Sequence, residues 1–316
     1  MPPHVAATLM QIPPDQIEKN PDNPRLIFRD EEMDVLMNSI ASIGIQVPIT
    51  VYRERATKMY VLMDGERRWR CAIKLNLKTV PALVHPKPSK LNNILQMFNI
   101  HNVREAWDLL PTAYKLQELE ELLKSEGKRI TPTQLATLTG LKPGRVRQAQ
   151  ELLSLPESHR NRLMDELSKP KLEQKVSEDL YLEIIKAEKA IKRHAPEALQ
   201  GLNREQTIGA LAEKYERGIV DSVTQFRDIS RMARGEVAGV SKAKTVPLLR
   251  KLITQPDVPI GEVYRGSVAA AYARKDLLRR IGALTKDLGN LDAQQMDDRL
   301  AKALRDLKKA LDNLLG

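Results

Sequence analysis

Thr131-Pro-Thr-Gln-Leu-Ala-Thr-Leu-Thr-Gly-Leu-Lys-Pro-Gly-Arg-Val-Arg-Gln-Ala-Gln-Glu-Leu-Leu153 sets Ala136, Gly140 and Val146 four and six residues apart. In a helix-turn-helix the small residue lets two helices approach, the glycine takes a left-handed turn, and the β-branched residue closes the core beneath the second helix. Leu135, Leu138, Leu141, Ala149 and Leu152 are expected to fill the remaining inward positions. A second helix starting near Pro143 turns Lys142, Arg145, Arg147, Gln148 and Gln150 outward. Arg and Gln are the side chains that pair bidentately with guanine and adenine edges in a major groove. Thr131 and Thr133 open the first helix, where their hydroxyls serve as a cap or touch phosphate. The competing reading is a helical hairpin with a solvated charged face.

Composition favours the nucleic-acid reading. The 316 residues carry 51 Lys and Arg against 41 acidic residues, a net charge of +10 that suits a polyanionic partner. Aromatic residues make up only 4% of the chain, with three Phe, so the stacking platforms of single-strand binders are missing and duplex DNA is the expected ligand. No stretch approaches the ~18 apolar residues of a membrane span, and Met1–Met10 has no basic segment followed by an apolar core. Cys71, the single cysteine, allows no internal disulfide and no Cys-rich zinc site. A soluble, cytoplasmic protein without membrane contact is expected.

Outward from the helix-turn-helix the chain changes class near residue 90. Before it, Ile49–Tyr52, Met59–Met63 and Val80–Val84 read as strands, and Met33, Leu36, Met37, Ile40 and Ile43 recur at helical spacing between an Asp30 cap and a Gly44 stop. After Pro86-Lys-Pro88 the pattern is helical, with breaks at Pro111, Gly127 and Gly140. The expected architecture is an α+β domain over 1–90, an all-α DNA-binding domain over 91–235 with its helix-turn-helix at 131–153, and a linker with a helical dimerisation region over 236–316. Gly235–Thr245 is the candidate linker. Leu300, Leu304, Leu307, Leu311 and Leu314 alternate steps of four and three, the seam of a homodimeric coiled coil or of a helix packed on its own domain. The Lys- and Arg-rich segment from Pro156 to Gly235 is either a further phosphate-contacting surface or a solvated face.

Two arginine motifs mark the first domain: Asn20-Pro-Asp-Asn-Pro-Arg25, and Asp64-Gly-Glu-Arg-Arg-Trp-Arg70 between a predicted strand and a predicted helix. Free N–H groups at a helix start, a flexible Gly65 and the adjacent Arg67 and Arg68 suit an anion or phosphate. A solvated arginine face or a direct DNA-backbone contact are the other readings.

These motifs resemble the first two boxes of the ParB partition and nucleoid-occlusion family, usually Asn-Pro-x-x-Pro-Arg and Gly-Glu-Arg-Arg-Tyr-Arg-Ala. Phe98–Asn102 through Ala113-Tyr114 lies without gaps on the third box, so the resemblance covers residues 10–156 and is architectural beyond. It implies a ParB/sulfiredoxin-like first domain whose CTP site latches a dimer into a clamp around double-stranded DNA, with a partition ATPase as candidate partner. Carried over, Arg25, Gly65, Glu66, Arg67, Arg68 and Arg70 would bind the nucleotide and Asn99 would help hold Mg²⁺.

Phe98 stands where the family has Glu, which removes a hard oxygen ligand, and His101 and Asn102 replace the usual Gln and Arg. Asp64, Glu66 or Glu105 are substitute candidates; His101 is not, because magnesium prefers oxygen. The resemblance implies at most weak CTP hydrolysis, and no catalytic residue is assigned. Cys71 and Trp69 are expected in helix packing. Two alternatives remain: a transcriptional regulator with a nucleotide-silent first domain, and a metal-dependent nuclease, for which the paired carboxylates are missing.

Overall fold

The computed structural model describes residues 7–101, 108–292 and 297–316. Five strands, β1 (Thr8–Ile12), β2 (Ile17–Glu18), β3 (Ile49–Arg53), β4 (Tyr60–Asp64) and β5 (Val80–His85), form one mixed sheet in the order β1-β5-β3-β4-β2. β5 pairs antiparallel with β1 and parallel with β3; β4 pairs antiparallel with β3 and parallel with β2. Alternation along the strands sorts the side chains between faces. Ile49, Val51, Tyr60 and Leu62 join a core that includes Ala72 of helix α2 (Glu66–Lys74), whereas Tyr52, Val61 and Met63 cluster separately. Helix α1 (Asp30–Ile43) packs on α2 through Met33, Ile40 and Cys71. Its cap is Arg29 rather than Asp30, which is the first helical residue, and Gly44 ends it in a left-handed conformation.

Among the described residues, every element after β5 is helical. α3 (Lys90–His101), α4 (Leu109–Ser125), α5 (Pro132–Thr139), α6 (Pro143–Leu153), α7 (Glu157–Ser168), α8 (Glu178–His194), α9 (Arg204–Glu216), α10 (Phe226–Ala233), α11 (Lys242–Thr254) and α12 (Ile260–Ser267) contribute to one buried cluster running from Ile94 to Val268. α3 joins the two domains. It packs against β4, while its Ile94 and Phe98 belong to the helical core.

Gly235–Thr245 is a packed corner rather than a linker. Gly235 and Thr245 are buried, and a Cβ on Gly235 would come within 2.8 Å of the Thr245 methyl. The helical core therefore extends past residue 235 through α12. Lys214 of α9 holds this extension: fully buried, it donates from Nζ to the carbonyls of Gln255, Pro256 and Val258 at 2.6, 3.0 and 3.0 Å. Those oxygens follow α11, where no intrahelical donor remains. Burial pushes the Lys214 ammonium down to about 8. The last helices, α13 (Ala269–Gly289) and α14 (Asp298–Leu315), bury no residue; Leu277, Ile281, Leu284, Leu307, Leu311 and Leu314 are exposed. No helix among the described residues is long and apolar enough to cross a membrane.

Candidate anion site and nucleic-acid interface

The turn from β4 into α2 depends on Gly65. Its φ of 91° is left-handed, and an added Cβ would lie 2.7 Å from Cγ2 of Ile49 and 3.0 Å from the Arg68 guanidinium. Only glycine tolerates both conditions. The next residue, Glu66, is buried and accepts from Asn23 Nδ2 at 2.7 Å and from Arg70 Nε and Nη2 at 3.0 and 2.6 Å. Asn20 and Asn23 are also buried, and each turns its own loop by accepting a backbone N–H two residues on, from Asp22 and Arg25 at 2.9 Å. The Asn20 amide exchanges two 3.1 Å hydrogen bonds with Asn93 of α3. Lys115 of α4 reaches the carbonyl of Pro21 at 3.0 Å. The first motif is thus a clasp between α2 and the helical domain.

The arginines divide into three groups. Arg68 donates to the carbonyls of Val47 and Pro48 and to Asp64 Oδ2, the last at 3.1 Å, so it clamps the entrance to β3. Arg70 pairs with Glu66 and stacks on Phe28 with its guanidinium carbon 3.9 Å from the ring centre. Arg25, Arg67 and a residue not singled out in the sequence, Arg29, gather around Glu32. Arg25 Nη2 lies 3.0 Å from Glu32 Oε2, Arg29 Nη1 3.6 Å from Oε1, and Arg67 Nη2 4.0 Å from Oε2 and 2.9 Å from the Glu32 carbonyl. Arg29 also pairs with Asp108, just before α4, at 3.0 Å. Arg67 and Arg68, expected as one cradle, therefore serve different partners.

Asn99 is exposed near the end of α3, its amide donating to the carbonyl of Leu95 in its own helix at 3.0 Å. Phe98 is fully buried in the helical core. Asn102 and Glu105 lie outside the described residues, as does the side chain of His101. Trp69 packs on the sheet core and donates from Nε1 to the carbonyl of Pro14 at 2.9 Å. Cys71 is buried, and desolvation pushes its thiol up, which argues against nucleophilic use.

In the helix-turn-helix, Thr131 accepts from the N–H of Gln134, whose side chain accepts in return from the Thr131 N–H, a reciprocal cap. Gly140 ends α5 with φ 70°. Leu135, Ala136, Val146, Ala149 and Leu152 are buried; Leu138, expected inside, is 38% exposed. Lys142, Arg147 and Gln148 are exposed along α6, and Thr131 and Thr133 along the start of α5. Two residues depart from the expected outward row. Gln150 donates to Glu120 of α4 at 2.7 Å. Arg145 is half-buried, and its charge acts on Glu178, a carboxylate that burial pushes above the usual range while it accepts the Leu110 N–H at 2.7 Å.

Residues 3–103 match the family model of the ParB N-terminal domain. The first domain is therefore similar to the ParB N-terminal domain. The chain is 33% identical over 149 residues to the chromosome-partitioning protein ParB of Caulobacter vibrioides, covering 46% of this chain and 47% of that one. It is 32% identical over 176 residues to the nucleoid occlusion protein of Lysinibacillus sphaericus, covering 55% and 54%. The chain thus spans about half the length of the curated relatives it matches. Solved structures of C-terminally truncated ParB from Caulobacter crescentus align with it: the parS complex at 25% identity, TM-score 0.43, over 71% of this chain and 98% of that one, and the CTP-γ-S complex at 27% identity, TM-score 0.29, over 55% and 92%.

Gly65, the start of α2 and the guanidinium groups around Glu32 are groups of the kind that suit a phosphate chain. They do not supply a magnesium site in the same way. Asp64 pairs with Arg68 and Glu66 with Arg70, and among the described residues no three His, Cys, Asp or Glu side chains are grouped to hold a metal. Sequence reasoning missed Arg29, Glu32, Asn93 and Asp108. Each acts through a partner distant in the chain, except that Glu32, spaced three and seven residues from Arg29 and Arg25, was within reach of a charge-pairing argument.

Proposed function

We propose that the chain is a ParB-type, sequence-specific duplex-DNA-binding protein that works as a homodimer in DNA partition or nucleoid occlusion, its first domain taking CTP to switch the dimer geometry. The observation that carries the nucleotide reading is the convergence of Arg25 and Arg67, from the two motifs, on Glu32, with Arg67 two residues past the Gly65 turn. The guanidinium forks would bind phosphate oxygens bidentately, and the left-handed Gly65 lets backbone N–H groups approach them. The cytosine preference rests on the family resemblance. Because Asn20 is bonded to Asn93 on α3, and Arg29 to Asp108 before α4, a ligand that shifts the loop pulls on the helices that carry α5 and α6.

Lys142, Arg147 and Gln148 would read bases, and the exposed leucines of α13 and α14 supply the apolar surface a dimer would cover. A partition ATPase is a further candidate partner. No magnesium-dependent step is assigned. The test is calorimetric titration of the four nucleoside triphosphates into the protein and into Arg67→Ala. CTP binding that the substitution removes supports the switch; no binding to any triphosphate, with DNA present, rejects it.

The second reading, a helix-turn-helix regulator with a nucleotide-silent first domain, is favoured by the burial of Phe98 where the family has Glu. Failure of every triphosphate with intact DNA binding would select it. Nuclease chemistry needs grouped acidic ligands, which the described residues do not provide.

A further inference from the structure

Glu32 stands among Arg25, Arg29 and Arg67, and its two oxygens span all three guanidinium groups at 3.0, 3.6 and 4.0 Å. Three cations brought together from the loop before α1 and the first turn of α2 repel one another unless an anion lies between them. Here the anion belongs to the chain. Nearby carboxylates have arginine partners of their own: Asp108 also pairs with Arg29, Glu66 with Arg70, and Asp64 with Arg68. A carboxylate presents its oxygens to guanidinium much as a phosphate does, with one negative charge rather than two or more. The Glu32 side chain is 39% exposed and stands in the first turn of α1, so it has solvent to turn into.

We propose that Glu32 is a built-in stand-in for phosphate: it holds Arg25, Arg29 and Arg67 aimed at one point while the site is empty, and an incoming phosphate chain must displace it. The proposal builds on the phosphate reading of this arginine cluster. A displaced carboxylate remains near the bound anion and repels it, so the site is set against weakly charged ligands and admits those with enough charge to win the exchange. Glu32 is a positioning residue, and its removal has a sign that a merely structural role does not share. If it only organised the arginines, neutralising it would loosen anion binding; as a competitor, its neutralisation tightens binding.

The experiment titrates pyrophosphate and each nucleoside triphosphate into the full chain, Glu32→Gln and Glu32→Asp. Glu32→Gln, nearly isosteric but neutral, is expected to bind pyrophosphate on the order of tenfold more tightly, the effect of relieving one like charge at close range. Glu32→Asp, which keeps the charge, is expected to stay near the parent. Unchanged or weaker pyrophosphate binding by Glu32→Gln overturns the proposal, and Glu32→Ala repeats the test should the Gln variant fold poorly. Tighter pyrophosphate binding without preference among the triphosphates would keep the stand-in and reject the CTP reading. A parent that binds CTP beside a Glu32→Gln variant with no gain would reject the stand-in alone, and no anion binding by any form would reject both.

Discussion

Along α2 every arginine is engaged: Arg67 with Glu32, Arg68 with Asp64 and two carbonyls, Arg70 with Glu66. On α6, Lys142, Arg147 and Gln148 stand in solvent, and the only inward-leaning cation of that helix, Arg145, is the one near a carboxylate. Under the proposed function the difference matches two kinds of ligand. A compact anion is bound best by cations already aimed at one point, because little reorganisation is left for the moment of binding. A DNA groove is long and variable, and long side chains free to choose rotamers can follow it. The cost of the first arrangement is rigidity, so substitutions there are expected to affect folding and binding together, while those on α6 affect binding alone.

The largest effect is expected from comparing two glycines. Gly65→Ala forces a side chain into a left-handed conformation and against Ile49, so it should destabilise the protein by about 2–4 kcal/mol and remove anion binding. Gly144 on α6 has nothing within 4 Å of an added Cβ and lies in a helix, so Gly144→Ala should be neutral or stabilising, by up to about 1 kcal/mol. Denaturant unfolding of both variants measures the contrast. Equal effects would break it.

Intermediate effects belong to α6, the proposed DNA-reading helix. Arg147→Ala and Gln148→Ala should each change stability by no more than about 0.5 kcal/mol, while each removes about 1–3 kcal/mol of discrimination between a cognate and a scrambled duplex. Arg145→Ala should do the reverse, lowering stability with little loss of discrimination, because its charge acts on Glu178 inside the domain. Unfolding midpoints set beside binding isotherms for the three variants separate these outcomes. Discrimination lost at Arg145 would return it to the reading set.

The legible parts of this molecule are those where a local rule decides. Ala136, Gly140 and Val146 announce the helix-turn-helix because each meets a steric demand within twenty residues. β3, β4 and β5 are visible because both faces of the sheet are covered and their residues are apolar. β1 was not visible: of Thr8–Ile12 only Ile12 is buried, and the strand is held by backbone pairing to β5. Gly235–Thr245 looked like a linker because its packing uses a glycine and a threonine methyl rather than periodic leucines. The arginine cluster was legible as a composition but not as a geometry. Arg67 and Arg68 are adjacent in sequence and leave α2 in directions about 100° apart, which is why one meets α1 and the other the loop before β3.

The smallest effect concerns pH and the boundary between the two regions. Desolvation first, and then the charge of Asp108, hold Glu178 above the usual carboxylate range, against the lowering effect of its bonds to the backbone of Leu109 and Leu110 and of Arg145. A folded carboxyl that keeps its proton to higher pH than the unfolded one makes the folded state the better proton binder between the two pKa values. Its contribution is therefore fully present at low pH and declines as pH rises through that window. Glu178→Gln keeps an oxygen for the Leu110 N–H and removes the charge, so it should erase this segment of the pH slope and leave stability at neutral pH within about 1 kcal/mol of the parent. With the Glu178 charge removed, one charge acting on Arg145 is gone, and the salt dependence of DNA binding should rise slightly. Urea midpoints measured across mildly acidic pH, with DNA affinity at two salt concentrations, check both halves. A retained pH slope would locate the titration elsewhere, and an unchanged salt dependence would show that the Glu178 charge does not act on DNA binding through Arg145.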